Sequence, residues 1–387
     1  MSQRSFFDDE DSETAKRYVD GLYSFGAFDP VIGGIGEDDK ILTAQTASIR
    51  DYMRQSERTC SAQGVPFRIY PALVNAMSPN AFAGLKDGLH VCGLHIGLHA
   101  MVYEIACYAM AQPNLFPEIG DPSQEKAARI PNGSLPAFWL IDHTVQKGTP
   151  VTAELADRFM PFCPQRYEYA VYLSLLMVRF VWFHELHHCL NGHVSYLSDF
   201  VPSIRLNEVA IPGALPLVEL PSRDLPLPAD RLYQALELDA DRSALYAAYR
   251  TQFLDKENII ALAALPRPMR CRMTLFAAYL MTFLFERINE RQGTKVPLSH
   301  PDSHTRLHDM FRTTAIHLKR LDSDIELVFE QVRADMNALA LALTLPITHD
   351  LQELYGRYET AAVQERLDAH EEDLTLLRQQ IHRFGYR

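Results

Sequence analysis

A nearly unbroken apolar run, Ala170 to Phe183, leads straight into His184-Glu185-Leu186-His187-His188, and Asn191-Gly192 follows at once. The pattern predicts a long helix from about Arg166 to Leu190, with Gly192 suited to the left-handed position past the last turn. Arg179 interrupts the run and a histidine-rich turn closes it, so it reads as a buried helix rather than a bilayer span. Met273 to Phe285 is also apolar but falls far short of the ~20 residues a bilayer requires. No stable membrane insertion is expected. A helix apolar on so many sides needs other elements around it, and the ionisable groups it carries need partners.

The chain of 387 residues suits one large domain or two modest ones. Its formal charge of −12, from 37 basic and 49 acidic residues, argues against nucleic acid as the main partner. The opening MSQRSFFDDEDSETAK has an acidic run and no apolar core, unlike a secretory signal. Six scattered cysteines (Cys60, Cys92, Cys107, Cys163, Cys189, Cys271) then read as reduced thiols, and the expected location is cytoplasmic.

Residues 1–64 read as an N-terminal arm and helix. The arm (1–40) is polar, then Gly-rich, and loosely held; the helix follows the spacing of Ile41, Ala44, Ala47, Ile49 and Met53. A main domain is expected over 65–345. It begins with a small strand meander: Phe67 to Tyr70, Asn80 to Ala83 after a Ser-Pro-Asn turn, and His90 to Leu94 after the hairpin signal Lys86-Asp87-Gly88. Helices follow near 96–110, 229–253 and 268–291, and another runs to about Leu343 from the capping box Ser323-Asp324-Ile325-Glu326. Two segments, 113–165 and 196–229, read as irregular insertions, the second a proline-rich loop or lid. The tail 346–387 reads as a helical extension. Its stripe of Leu351, Leu354, Tyr358, Leu367, Leu374, Leu377 and Ile381 either packs on the body or pairs subunits of a homo-oligomer. The expected fold class is mainly α with a small β-sheet, α+β.

Positions i and i+4 share a helical face, so His184 and His188 can reach one zinc ion at about 2.0–2.1 Å each. Glu185 is rotated aside, where it can take a proton from an attacking water. His187 lies near the same face and reads as a second-sphere or solvent-facing residue; the alternative is that it replaces His188 as ligand. A third histidine at the spacing His-x-x-Gly-x-x-His is ruled out, because Asn191 and Val194 occupy those positions and Gly192 and His193 each sit one residue off. The remaining candidate is Glu237-Leu238-Asp239-Ala240-Asp241, on a predicted helix. Glu237 completes a His-His-Glu set, and Asp241, one turn on, can accept a hydrogen bond from the non-ligating nitrogen of a metal histidine. His193 or an outside ligand is the alternative. Further along, Ser299-His300-Pro301-Asp302-Ser303-His304-Thr305-Arg306 places His300 just before a helix, where it could donate to a developing oxyanion. Arg306 could pair with a buried carboxylate and hold that turn.

The order of these motifs, Asn80-Ala81-Phe82-Ala83, His-Glu-x-x-His at 184–188, Glu-x-x-Ala-Asp at 237–241 and His-Pro-x-x-x-x-Arg at 300–306, resembles the gluzincin metallopeptidases of the CaaX prenyl-protease, HtpX and BepA kind. The resemblance covers roughly residues 65–320, as islands. It implies a zincin-like core, zinc held by His184, His188 and Glu237, a base at Glu185, a supporting carboxylate at Asp241, an oxyanion-side His300 and an ordering Arg306. It also implies that Asn80, Ala81 and Phe82 lie at the cleft edge, where an extended peptide adds as another strand. The chain departs from the pattern in lacking the membrane helices of the prenyl-protease and HtpX types, which removes prenylated membrane substrates. It also inserts about fifty residues before the zinc helix, long against the usual connections of compact domains, and carries His187 where a small residue is common. The run His-Glu-Leu-His-His-Cys-Leu-Asn-Gly-His is also similar to the Lit group of bacterial phage-exclusion proteases. The expectation is a zinc endopeptidase acting on intracellular protein or peptide substrates. Its rivals are a non-catalytic zinc-binding regulatory or scaffold protein, which would be expected to have lost Glu185, and a metal-free helical binding protein.

Overall fold

The structure is a computed structural model that describes residues 9–23, 27–30, 52–53, 55–126, 137–142, 153–200, 205–207, 225–253, 264–291, 301, 303–318, 325–343 and 361–386. These residues form a mainly helical protein with one small mixed sheet, α+β as expected.

The sheet has five strands, β1 (Phe28–Pro30), β2 (Ile69–Val74), β3 (Ala81–Lys86), β4 (Leu89–His95) and β5 (Arg205–Asn207), in the order β1-β2-β4-β3-β5. Only β2 and β4 run parallel. The β3–β4 hairpin turns on Asp87 (φ 51°) and Gly88 (φ 77°). A two-residue turn with both residues left-handed twists with the strands it joins, which is why Asp-Gly was legible as a hairpin. Side chains alternate across the strands. Ala81, Ala83, Cys92 and Leu94 face the large helical core, while Phe82, Leu89, Val91, Ala72 and Val74 face the other way.

That second face is covered by α1 (Asp9–Leu22), whose Ala15, Tyr18 and Val19 are buried on it. For residues 9–23 and 27–30 the expectation of a loosely held arm is therefore corrected; the rest of 1–40 lies outside the described residues. The polar sequence of α1 hides a short apolar stripe that the sheet needs as a lid, and β1 from the same stretch pairs with β2. A boundary at 64/65 would cut through this sheet. The helix expected over 41–62 lies largely outside the described residues, as do the capping-box residues Ser323 and Asp324.

The core is built around α3 (Pro164–Leu190), the helix of the apolar run. Around it pack α2 (Ile96–Met110), the sheet, α5 (Ala229–Phe253) and α6 (Arg267–Arg291). By length and composition α3 could cross a bilayer, but 83% of its most apolar window is buried inside the fold. Its Trp182, Phe180 and Phe183 are fully enclosed, and so is Arg166. Arg166 donates to five backbone carbonyls, those of Met110, Gln112, Leu115, Phe116 and Ile119, at 2.7–3.0 Å. The described part of the segment between residue 113 and α3 has only short helical turns, among them Pro122–Gln124 and Ala153–Ala156, and is held from within. Glu104 accepts from the N–H groups of Ala137, Trp139 and Leu140, and Glu125 accepts from those of Phe162 and Cys163.

Gly192 adopts φ 85° and ends α3 where the sequence placed the stop; the chain then turns into α4 (His193–Ser198) and β5. The expectation of a loop over 196–229 is thus corrected in part, since a helix end and an edge strand come from it; 201–204 and 208–224 lie outside the described residues. Next come α7 (Ser303–Leu318), α8 (Ile325–Ala342) and α9 (Ala361–Ile381). Leu367, Leu374, Leu377 and Ile381 of α9 are buried within the chain. All six cysteines are free thiols, five of them buried.

Candidate metal centre

Two helices meet to make the site. His184 and His188 stand one turn apart on α3, and Glu237 comes from α5. All three are buried, at 1%, 1% and 2% exposure. Nε2 of His184 lies 2.9 Å from Nε2 of His188 and 3.3 Å from Oε2 of Glu237, and Nε2 of His188 lies 3.4 Å from Oε1 of Glu237. Atoms about 2.0–2.1 Å from one ion at tetrahedral angles are ~3.3 Å from one another. The two edges to Glu237, which end on its two different oxygens, are close to that and the edge between the histidines is shorter, so these residues could hold a metal ion.

Asp241 explains how His184 is presented. It is fully buried and one turn along α5 from Glu237; its Oδ1 lies 2.9 Å from Nδ1 of His184. Arg306, on α7, grips the same carboxylate in a fork, Nε to Oδ2 and Nη2 to Oδ1, both at 2.7 Å. Burial alone would push the Asp241 carboxyl up. The Arg306 guanidinium and the His184 ring outweigh it and hold the group below its ordinary value, so it stays an acceptor. An acceptor at Nδ1 places the ring proton there and leaves the Nε2 lone pair facing His188 and Glu237.

Glu185 is buried, at 1% exposure, and is not one of the three converging residues. His187 is not among them either, and the expectation that it faces solvent is corrected. It is buried, and its Nδ1 donates 2.7 Å to the Phe183 carbonyl one turn back, with the Tyr52 ring alongside. Burial lowers its pKa to about 4, so it is neutral. His193 does not join the triangle. Its Nδ1 lies 2.9 Å from Nδ1 of His188, and its Nε2 lies 3.2 Å from Oδ2 of Asp239. Asn191 donates to the same Asp239 oxygen at 2.7 Å. Asp239 stands inside the acidic motif, but nothing local marked it as a neighbour of His193.

His300 lies outside the described residues. Asn80, Ala81 and Phe82 are buried, and at Phe82 the expectation of an open strand edge is corrected. Phe82 pairs with Asn207 and Ala83 with Leu206, so the chain's own β5 takes that edge of β3. A free edge presents unpaired N–H and C=O groups, and the segment after α4 is positioned to satisfy them.

No protein-family model, curated protein or solved structure matches the chain.

Proposed function

We propose that the protein is a zinc-dependent metalloendopeptidase with a zincin-like core, of the gluzincin type that its motifs resemble, acting on protein or peptide substrates in the cytoplasm. The observation that carries this reading is the triangle of His184, His188 and Glu237 with a glutamate, Glu185, next to the first histidine. Two neutral imidazoles and one carboxylate form the donor set that suits zinc, and the set leaves a fourth position for water or substrate. A zinc ion there would polarise the scissile carbonyl and make a water acidic enough to lose its proton near neutral pH. Glu185 is the base that takes that proton and returns it to the leaving amine. Asp241, gripped by Arg306, keeps Nε2 of His184 turned to the metal position. Among the described residues β5 is the outermost strand on its side of the sheet, so an extended substrate segment would add to β5 or displace it.

Metal analysis of purified protein is the first test, with close to one zinc per chain expected. Glu185→Gln should keep that zinc and abolish cleavage; comparing protein termini in cells expressing the native chain or this variant identifies the substrates. Glu237→Ala should lower zinc affinity by at least ~10-fold. Cleavage that survives Glu185→Gln removes that residue from the mechanism, and unchanged metal content in Glu237→Ala removes the third ligand.

A further inference from the structure

The outer nitrogen of His188, the second metal-facing histidine, meets another histidine. The His188 Nδ1 meets the Nδ1 of His193, at 2.9 Å. Two ring nitrogens can share one hydrogen bond only if one carries the proton and the other does not, so something must decide which. Asp239 does so: its Oδ2 lies 3.2 Å from Nε2 of His193 and can only accept. With the His193 ring neutral, its proton is on Nε2, its Nδ1 is the acceptor, and His188 donates from Nδ1. The Nε2 lone pair of His188 then faces that of His184, 2.9 Å away with no proton between them, an approach that a cation held by both rings would relieve. Asp239 is itself held from the far end of the chain. Arg378, on α9, donates Nε and Nη2 to its Oδ1 at 2.9 and 2.7 Å.

We infer that Arg378 is a positioning residue for the metal centre, acting through Asp239 and His193 on His188, so that the C-terminal helix completes the site. The chain Arg378–Asp239–His193–His188 is the counterpart of Arg306–Asp241–His184, with one more histidine between the carboxylate and the metal-facing ring. The inference rests on the metal reading above.

Two observations separate this role from ordinary surface pairing. The Arg378 side chain is 50% exposed, and a half-exposed ion pair contributes little to stability by itself. Its partner Asp239 is almost wholly buried and also takes the Asn191 amide, so the arginine orients a group that faces the metal helix. The chain beyond Arg378 also closes over the end of that helix. The Tyr386 N–H donates to the Leu190 carbonyl at 2.8 Å, and the backbone of Phe384 and Gly385 lies against Gly192.

The test uses the full-length protein stripped of metal and titrated with zinc against a chelating indicator, and separately with cobalt(II) as a spectroscopic probe. Arg378→Ala should weaken zinc binding by roughly 10- to 100-fold and change the visible absorption of the cobalt form, while thermal melting of the metal-free protein stays close to wild type. Arg378→Lys, which keeps the charge and loses the fork, should recover part of the affinity. Arg231→Ala is the control. Arg231 ties α5 to Asp373 on the same C-terminal helix but touches neither Asp239 nor His193, so its removal should leave both metal readouts unmoved. Wild-type affinity and an unchanged cobalt spectrum in Arg378→Ala would overturn the inference alone, as would an equal loss in Arg231→Ala. A wild-type protein that binds neither ion would overturn the metal reading and this inference together.

Discussion

Arg166 lies wholly inside the protein, and five carbonyl oxygens, that of Met110 at the end of α2 and four from the loop after it, converge on its guanidinium. The carbonyls of Gln112 and Phe116 also accept from the Leu115 and Ile119 N–H groups, so the arginine matters most for the carbonyls of Met110, Leu115 and Ile119. Glu125, 3.7 Å away, balances the charge. Lysine has the charge but not the planar fork, and it cannot span five acceptors. Arg166→Lys should therefore cost at least ~3 kcal/mol, since each orphaned buried acceptor costs ~1–3 kcal/mol. Urea denaturation measures this, and a loss below ~1 kcal/mol would show that the loop carbonyls find other donors. The same chemistry, a carboxylate or guanidinium fixing groups from distant segments, recurs at Asp241, where Arg306 and His184 meet.

Among the elements, the stop after α3 matters most to the site, because it aims His193 back toward His188. Gly192 has φ 85°, and a Cβ there would lie 2.6 Å from the carbonyl carbon of Phe384 and 2.7 Å from the nitrogen of Gly385. Those are backbone atoms of the C-terminal clasp and cannot swing away. Gly192→Ala should lose about 1–3 kcal/mol, from the left-handed backbone and the displaced clasp together. Gly64 has φ 76° with nothing within 4 Å of a Cβ, so Gly64→Ala carries the backbone cost alone. The difference between the two denaturation midpoints isolates the clasp, and equal shifts would mean that the clasp contributes nothing.

Across the whole molecule, buried titratable groups pull stability in opposite directions with pH. Burial lowers His90 and His95 to about 4, from 6.5. Between those values the unfolded chain binds more protons, so their contribution is present above pH 6.5 and is lost as pH falls toward 4. Glu104 works the other way. Burial raises it from 4.5 to about 7, against the pull of three backbone N–H donors, so its contribution is present below pH 4.5 and lost as pH rises through 7. Replacing it by glutamine removes that opposing slope. In metal-free protein, stability should then climb more steeply between pH 4.5 and 6.5, by up to ~1.4 kcal/mol per pH unit. Chemical denaturation across that range checks this, and an unchanged slope would place Glu104 ionised in the fold.

The sequence alone carried several features that a single turn or a single helix decides, though not the helices α1 and α4. The i, i+4 spacing put His184 and His188 on one face, the apolar run required a buried helix, Asp87-Gly88 required a tight hairpin, and Gly192 required a stop. It also paired the acidic motif on α5 with that helix, because its carboxylate spacing has few other uses once two histidines wait for a third ligand. Tertiary structure decided what depends on segments far apart in the chain. The N-terminal stretch became a lid and a strand only because the sheet had a bare face and a bare edge, and β5 closed the β3 edge for the same reason. Asp239 and Arg378 stand 139 positions apart, and no periodicity links them. The physical reason is that local spacing fixes which way a side chain points from its own helix, while a buried polar group finds its partner only once packing has brought the helices together.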